Sequence, residues 1–255
     1  MYEHEMSFAR GLADLAAEIG LSVFHGDVRV TMKADLTPVT QADTEIETMI
    51  RRQIAAAFPD DRVLGEEQGG DAAAPGRVWI VDPIDATANF ARQIPIWATL
   101  IALQVDGELV LGLVNAPSLG ERYEAVRGEG ARFNDVPIHV SDVAEIAEAQ
   151  ILYAEVESWL KEPRAEGVLG VLRDAKRTRG FGDFWGHVLV GRGAADAAIE
   201  PELATWDFAA PSVVVEEAGG KITAIDGGPL RHGGSVLSSN GAIHDELVSR
   251  LAWSG

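Results

Sequence analysis

Two aspartates stand three residues apart in the stretch WIVDPIDATANF, which covers residues 79–90. The apolar residues before Asp82 predict the end of a buried strand, and Pro83 predicts that the strand stops there, because proline cannot donate a ladder hydrogen bond. Asp82 and Asp85 would then share one strand end, where buried carboxylates repel each other unless a cation lies between them. A polar turn capped by Asp82 is an equally good interpretation of this stretch alone.

Further acidic residues lie in predicted loops rather than on solvated helix faces: Asp43, the pair Glu66 and Glu67 in GEEQGG, and Asp207 in TWDFAA. Because the chain has 40 acidic residues, one acidic loop carries little information, and Asp207 alone is also typical of a helix N-cap. Each carboxylate borders apolar residues, which predicts that all of them lie near the edge of the core. Carboxylate oxygens select hard cations such as Mg²⁺, and such a cluster suits a site that binds phosphate through metal.

The bulk composition narrows the class of protein. With 255 residues, of which 47% are hydrophobic, the chain can bury the core of one compact unit. Its net charge of −19 argues against nucleic acid or an anionic membrane as a partner, since phosphate groups attract Lys and Arg. There is no cysteine and no i,i+4 pair among the six histidines, so neither disulfides nor a zinc site is expected. No bilayer-length apolar run and no signal pattern at the start are found, and we therefore expect a cytoplasmic protein.

Local patterns in the first half predict the elements that position these acids. Apolar residues at helical spacing predict an amphipathic helix over 8–23. A second helix is predicted to begin after Thr40, which forms a capping-box pattern with Asp43. DRVLGEEQGG predicts a short strand that runs into an acidic loop, and the short strand-like runs over 97–140 predict an antiparallel meander.

The second half alternates between strand and helix patterns. AQILYAE, KRTRGFG, AADAAIE, KITAI and GSVLSS predict strands. Helices are predicted over 159–174, in FWGHVLVGRG, in WDFAAPSVVVEEAGG and over 242–251. Pro211 is predicted to lie close to the first turn of its helix, where a missing N–H is least harmful. This alternation predicts a layered α/β architecture.

The motifs PVTQAD, GEE, WIVDPIDATANF and WDFAAPSVVVEEAGG together resemble the inositol monophosphatase family, in the family's order and over nearly the whole chain. The resemblance implies an αβαβα sandwich forming a single unit over 1–255, with a metal-binding α+β half over about 1–145 and an α/β half over about 146–255. It also implies a lithium-sensitive phosphomonoesterase that uses two or three Mg²⁺ ions on a small phosphate ester. Relatives are commonly dimers, so a homodimer is expected by analogy.

The resemblance also implies a role for individual residues. It makes metal ligands of four carboxylates and one backbone carbonyl: Glu66, Asp82, Asp85, Asp207 and the carbonyl of Ile84. It pairs the Thr87 hydroxyl with Asp43 to orient the attacking water alongside Glu66. The phosphate would be held by the N–H groups of Ala86 and Thr87, as is expected at the start of a helix.

One position departs from the family, whose members usually have glycine in place of Ala86. If the backbone there requires a positive φ, alanine costs about 1 kcal/mol, and if it is right-handed the methyl group crowds the phosphate. A non-catalytic binding protein with the same fold is the alternative that this departure raises.

For the substrate, RGFGDFWGHVLVGRGAADAAIEPELATWD is most similar to bacterial histidinol-phosphate phosphatases. Histidinol phosphate carries an ammonium group that Asp183 and Glu200 could pair with, although Asp183 also suits a helix N-cap. Phe184 and Trp185 could stack on the imidazole or simply pack in the core. Arg179 could neutralise phosphate or pair with a neighbouring acid. An inositol phosphate, a sugar phosphate or a nucleotide of secondary metabolism is the alternative substrate.

Overall fold

Five layers, in the order helix, sheet, helix, sheet, helix, make up the protein in this computed structural model, which describes residues 2–32, 38–71, 75–161 and 164–251. The helices are α1 (Glu3–Phe24), α2 (Gln41–Ala57), α3 (Thr87–Ala91), α4 (Val156–Trp159), α5 (Ala165–Asp174), α6 (Asp183–Gly191), α7 (Thr205–Glu217) and α8 (His244–Leu251). The predicted αβαβα sandwich is confirmed.

The strands form one hairpin and two larger sheets. Their bounds are β1 (Val30–Met32), β2 (Pro38–Thr40), β3 (Arg62–Gly65), β4 (Arg77–Asp85), β5 (Ala98–Val105), β6 (Glu108–Ala116), β7 (Glu121–Val126), β8 (Gly130–Phe133), β9 (Val136–Ile138), β10 (Gln150–Tyr153), β11 (Arg177–Arg179), β12 (Ala197–Leu203), β13 (Lys221–Thr223) and β14 (Gly234–Ser239). Strands β3 to β9 form a seven-stranded sheet in chain order, in which β5 to β9 are the predicted antiparallel meander. The other sheet has the order β11-β10-β12-β14-β13.

Helices α1 and α2 cover the outer face of the seven-stranded sheet, as their apolar stripes predict. Helix α1 begins at Glu3, before the predicted range over 8–23, whereas α2 begins directly after Thr40 as predicted and is capped by the predicted reciprocal pair of Thr40 and Asp43. Helices α5 and α8 cover the outer face of the second sheet. None of the helices in the described parts of the chain is both long and apolar enough to cross a membrane.

Helices α6 and α7 fill the layer between the two sheets. Helix α7 is buried on all sides, and it approaches β6 so closely that a Cβ on Gly112 would lie 2.4 Å from the carbonyl oxygen of Ala210. The prediction for Pro211 was wrong: it is the seventh residue of α7 and therefore lies in the helix interior. There its missing N–H removes the helical bond to the carbonyl of Asp207.

Two predicted boundaries were also wrong. The helix predicted over 159–174 is divided into α4, which ends at Trp159, and α5, which begins at Ala165. Strand β4 does not stop at Asp82 but continues to Asp85. Pro83 is tolerated because the pairing with β5 is irregular between these two aspartates, so that no regular ladder bond is lost.

Candidate active site

The irregularity in β4 brings Asp82 and Asp85 together. Asp82 pairs with Leu100 and Asp85 with Ala98, so β4 has one more residue than β5 over this interval. In a regular strand, residues three apart point to opposite faces, and a one-residue bulge corrects that alternation. Both aspartates consequently line one acidic cavity, whose other walls come from the residues after β4, the β10–α4 connection, the start of α6, the end of β12 and the start of α7.

Three carboxylates converge in this cavity. Asp82, Asp85 and Asp207 each offer an oxygen that lies within 4.8 Å of the other two. Burial, and then the charge of nearby Glu66, raises the pKa of Asp82 well above its ordinary value. Burial likewise raises the pKa of Asp85, to which the charge of Asp183 adds. Oδ1 of Asp82 is buried and has no hydrogen-bond partner among the described residues. A cation would stabilise buried carboxylates this close together, and their oxygens fit a hard metal ion.

Two members of the cluster also accept hydrogen bonds from backbone N–H groups. Oδ2 of Asp85 accepts a hydrogen bond of 2.9 Å from the N–H of Phe184, in the first turn of α6. Oδ2 of Asp207 accepts one of 2.7 Å from the N–H of Ala204, which immediately precedes α7. The N-cap of α7 is Ala204 and Asp207 is the third residue of the helix, so the N-cap interpretation of Asp207 was wrong; its side chain instead binds the backbone of the N-cap residue and joins the cluster. These bonds fix the carboxylate planes before any ion binds.

Asp43 and Thr87 lie beside the cluster. Oδ2 of Asp43 accepts hydrogen bonds from the Thr40 N–H and hydroxyl, at 2.8 and 2.5 Å, while Oδ1 lies 3.4 Å from the Thr87 hydroxyl. The same hydroxyl lies 2.9 Å from the carbonyl oxygen of Ile84. Burial raises the pKa of Asp43 to about 6, against the opposing bonds from Thr40 and with a further contribution from the charge of Glu66. Glu66 itself lines the acidic cavity.

The backbone of Ala86 is left-handed, with φ of 65° and ψ of 45°. This decides between the two sequence-based alternatives, because alanine here occupies a conformation that favours glycine. The Ala86 carbonyl oxygen accepts hydrogen bonds of 2.9 and 3.1 Å from the N–H groups of Asn89 and Phe90, which closes the first turn of α3. Ala86, Thr87 and Ala88 all line the acidic cavity.

Asp183 and Glu200 line the same cavity. The N-cap of α6 is Gly182, and the Asp183 side chain makes no capping bond, so the capping interpretation of Asp183 was wrong. Instead its backbone N–H donates a bond of 3.0 Å to Oε1 of Glu200. Burial and then the charge of Glu155 raise the pKa of Asp183 to about 6, and burial and then Asp183 raise that of Glu200.

The structure does not bring every predicted residue to the cavity. Arg179 is exposed on the edge strand β11, where its guanidinium donates to the carbonyl oxygen of Thr178, and it is not among the residues that line the cavity. Phe184 is buried in the core between the sheets. Trp185 packs on the same core, and its indole N–H donates to Glu121 at 3.1 Å. Core packing was thus the correct alternative for both aromatic side chains.

Two acids that the sequence patterns did not single out belong to the site's surroundings. Glu155 follows β10 with a left-handed backbone and lines the cavity beside Asp183. Its signal was an acid at the end of the predicted strand AQILYAE, comparable to Asp82 at the predicted end of its strand. Glu47 is fully buried in α2 and binds the loop that carries Glu66. Its only signal was an acid four residues after Asp43, on the apolar face of the helix.

Residues 1–254 match the model of the inositol monophosphatase family. The chain belongs to this family. It is 43% identical to a histidinol-phosphatase of Mycobacterium tuberculosis over an aligned length of 258 residues, and the alignment covers 98% of this chain and 99% of the relative. It is 41% identical to a histidinol-phosphatase of Streptomyces coelicolor over 260 residues, covering 98% and 97%. A solved inositol monophosphatase of Zymomonas mobilis, 31% identical, superposes with a TM-score of 0.87 over 99% of both chains.

Membership in the inositol monophosphatase family makes the protein a phosphomonoesterase. The acidic cluster described above agrees with the metal dependence of this family, since all three of its carboxylates come from motifs that carried the resemblance. The family relationship does not by itself identify the leaving group, because the relatives include both histidinol-phosphatases and inositol monophosphatases.

Proposed function

We propose that the protein is a Mg²⁺-dependent phosphatase that hydrolyses histidinol phosphate to histidinol and inorganic phosphate. The observation that carries the proposal is the convergence of Asp82, Asp85 and Asp207 within 4.8 Å, with a buried oxygen of Asp82 left without a hydrogen-bond partner in the described chain. Buried carboxylates this close together need a counter-charge to stay ionised.

These three carboxylates, with Glu66 and the carbonyl oxygen of Ile84, are the proposed ligands of two or three Mg²⁺ ions. When bound, the metal would neutralise phosphate oxygens and lower the pKa of water, which is the chemistry that metal ions supply to phosphoryl hydrolysis. Asp85 and Asp207 are suited to this role because a hydrogen bond from a backbone N–H group already holds each carboxylate in the cluster.

Thr87 and Asp43 are the proposed pair that orients the attacking water. The Thr87 hydroxyl has one proton and two oxygen acceptors, Asp43 at 3.4 Å and Ile84 at 2.9 Å. If the Ile84 carbonyl is engaged as a ligand, the hydroxyl donates to Asp43 and its own lone pairs can accept a hydrogen bond from water. Asp43, whose pKa is raised to about 6, is then suited to accept a proton near neutral pH, with Glu66 also lining this part of the cavity.

The phosphate is proposed to bind at the start of α3, through the N–H groups of Ala86 and Thr87. The first N–H groups of a helix have no intrahelical acceptor and attract anions. Both residues line the acidic cavity together with Asp82, Asp85 and Asp207, so a phosphate held there would share the cavity with the proposed metal ligands.

Asp183 and Glu200 are proposed to recognise the ammonium group of histidinol phosphate. Burial raises both pKa values, with a further contribution from Glu155 at Asp183 and from Asp183 at Glu200, and a bound ammonium group would relieve the repulsion among these acids. Glu155 adds a third negative charge on the same side. An inositol ring offers only hydroxyl groups to these acids. The two relatives named above that are histidinol-phosphatases support the same choice of substrate.

The proposal is tested by measuring phosphate release from L-histidinol phosphate and from myo-inositol 1-phosphate, with Mg²⁺ and with EDTA. Histidinol phosphate should have the higher kcat/KM, and EDTA should abolish turnover. Asp82→Asn should remove nearly all activity, whereas the exposed Asp60→Asn should retain it. Undiminished turnover after exhaustive chelation contradicts the metal-dependent reaction, and a preference for the inositol phosphate contradicts the substrate alone.

The proposal extends to the setting of the enzyme. We place the enzyme in histidine synthesis in the cytoplasm. The cytoplasm keeps thiols reduced, and a chain without cysteine does not depend on disulfides. Inhibition by Li⁺ and a homodimeric state are part of the same proposal, and they are measured by phosphate release in LiCl and by light scattering on the purified protein.

A further inference from the structure

One face of α2 carries three charged residues at intervals of four: Asp43, Glu47 and Arg51. Residues spaced four apart in a helix lie above one another, so this row points in one direction along the helix. Asp43 meets Thr87, as described above. The other two contact the Glu66 loop, by which we mean residues 63–69 at the end of β3 and in the turn that follows it.

Glu47 is the centre of these contacts. Its side chain is 0% exposed, and its oxygens accept the backbone N–H groups of Glu67 at 2.6 Å and Gln68 at 3.0 Å. Oε1 also accepts Nε of Arg51 at 2.7 Å. A buried carboxylate is costly unless it is fully hydrogen-bonded, and these three donors supply the compensation. Two of the donors belong to the residues that directly follow Glu66.

Arg51 binds the same loop at both ends. Nη1 donates to the carbonyl oxygen of Val63 at 3.3 Å, and Nη2 donates to that of Gly69 at 2.5 Å. The loop closes on itself between these points, since Gly65 and Gly69 exchange two backbone hydrogen bonds of 3.0 and 3.1 Å. The planar guanidinium thus joins the two ends of the Glu66 loop and also binds the Glu47 carboxylate.

Gly65 shows that the loop is shaped around the Glu47 carboxylate. A Cβ at Gly65 would lie 2.3 Å from Oε1 and 2.4 Å from Cδ of Glu47. Only a glycine backbone can approach the buried acid this closely. The next residue, Glu66, donates its N–H to the carbonyl oxygen of Val81 at 3.3 Å, directly before Asp82 in β4. The loop is therefore fixed on one side by α2 and on the other by the strand that carries the cluster.

We infer that Glu47, held by Arg51, is a positioning residue that sets the place of Glu66 relative to the metal-binding aspartates. The inference rests on the proposed function, in which Glu66 is a metal ligand. It assigns to α2 a double role: the first turn presents Asp43 to Thr87, and the next two turns hold the backbone on which Glu66 stands. Residues that support metal ligands from behind typically change metal affinity by about 10–100-fold when they are replaced.

Glu47→Gln tests the inference, because it keeps the shape of the side chain but removes its charge and replaces one acceptor oxygen by an amide N–H₂, which then faces a backbone donor of the loop. Glu45→Gln is the matched control, since Glu45 is exposed on the same helix. Hydrogen–deuterium exchange of the metal-free protein should be about 10–100-fold faster at Glu67 and Gln68 in E47Q than in wild type. Calorimetric titration with Mn²⁺ alone, at a temperature where both variants are folded, should give a Kd about 10–100-fold weaker for E47Q. E45Q should match wild type in both measurements.

The outcomes separate the inference from the function on which it rests. Wild-type protein that binds no Mn²⁺ overturns the proposed function and the inference with it. Wild type that binds Mn²⁺ while E47Q binds it equally tightly overturns the inference alone, and shows that Glu47 serves only folding. Should E47Q fail to fold, Arg51→Lys decides by the same two measurements. Lysine keeps the positive charge beside Glu47 but loses the two guanidinium hydrogen bonds to Val63 and Gly69. A several-fold weaker Kd for Mn²⁺ is therefore expected for R51K, and an unchanged Kd overturns the inference.

Discussion

Replacing Asp82 by asparagine should abolish activity and at the same time stabilise the metal-free protein. Asp82 is buried within 4.8 Å of Asp85 and Asp207, and the charge of Glu66 also raises its pKa. In the absence of metal these charges only repel each other. Asparagine has nearly the same shape, has no charge, and can donate its amide N–H to either neighbouring carboxylate.

The size of the effect follows from Coulomb's law. Two unit charges 4.8 Å apart interact by about 3.5 kcal/mol at an effective dielectric constant of about 20, and Asp82 has two such neighbours. Uptake of a proton by the metal-free cluster relieves part of this repulsion, so we expect a gain of about 1–3 kcal/mol rather than the full sum. For a chain of this length, that corresponds to a Tm higher by about 3–10 °C.

The assay is thermal unfolding at about pH 7.5, in EDTA and in saturating MgCl₂. In EDTA, D82N should melt above wild type. In MgCl₂ the wild-type Tm should rise, by the equivalent of about 2.7 kcal/mol at a hundredfold excess over Kd, while that of D82N stays nearly constant. Asp60→Asn, which removes an exposed charge, serves as the control. If D82N in EDTA melts at or below the temperature of wild type, the picture of a destabilising, metal-requiring cluster is refuted.

Four further predictions concern single residues. Ala86→Gly should raise Tm by about 1–4 °C, because the strain of a left-handed alanine, about 1–2 kcal/mol, is larger than the entropy that glycine adds to the unfolded chain, about 0.5–1 kcal/mol. The same change should alter kcat/KM less than tenfold. A lower Tm contradicts the strain at Ala86. Thr87→Ala should lower kcat by about 10²–10⁴-fold and leave the Kd for Mn²⁺ nearly unchanged, and a wild-type kcat would remove Thr87 from the reaction. Asp183→Asn should raise KM for histidinol phosphate by about one to two decades and spare a neutral sugar phosphate; equal losses on both substrates contradict ammonium recognition. His187 is buried, and burial lowers its pKa from 6.5 to about 4, so the unfolded chain binds the extra proton and stability falls as pH drops through this window. Between about pH 7 and pH 5, urea unfolding should show wild type losing about 2 kcal/mol more than His187→Gln, and parallel losses would contradict the assignment.

Several features of the fold could be predicted because their signals are local. The apolar stripes of α1 and α2 follow the helical repeat, and the capping pair of Thr40 and Asp43 stands within one turn. The meander from β5 to β9 is divided by turns of Gly, Pro, Asn and Asp, which interrupt each short strand at its end. Such features need only neighbouring residues, so the sequence contains all of the necessary information.

Other features depend on which elements pack together. Arg179 lies on an exposed edge strand outside the acidic cavity, and this position depends on the strand order of the second sheet. Trp185 could have faced a substrate, but its indole N–H reaches Glu121 on the other sheet. Pro211 lies inside a helix that is stabilised by two sheets around it, and this tertiary burial outweighs the lost backbone bond.

The identities of the candidate ligands could be read from the sequence, because carboxylates that follow buried strands and begin helices mark the edge of the core. How they meet was decided by the tertiary structure. The bulge in β4 turns Asp82 and Asp85 to one side, and the start of α7 brings Asp207 to them from a distant part of the chain. The left-handed backbone of Ala86 and the burial of Glu47 behind the Glu66 loop likewise arise only after the layers have packed. The physical reason is that residue type fixes which chemistry a side chain can perform, whereas distance, burial and mutual charge depend on contacts between segments far apart in the chain.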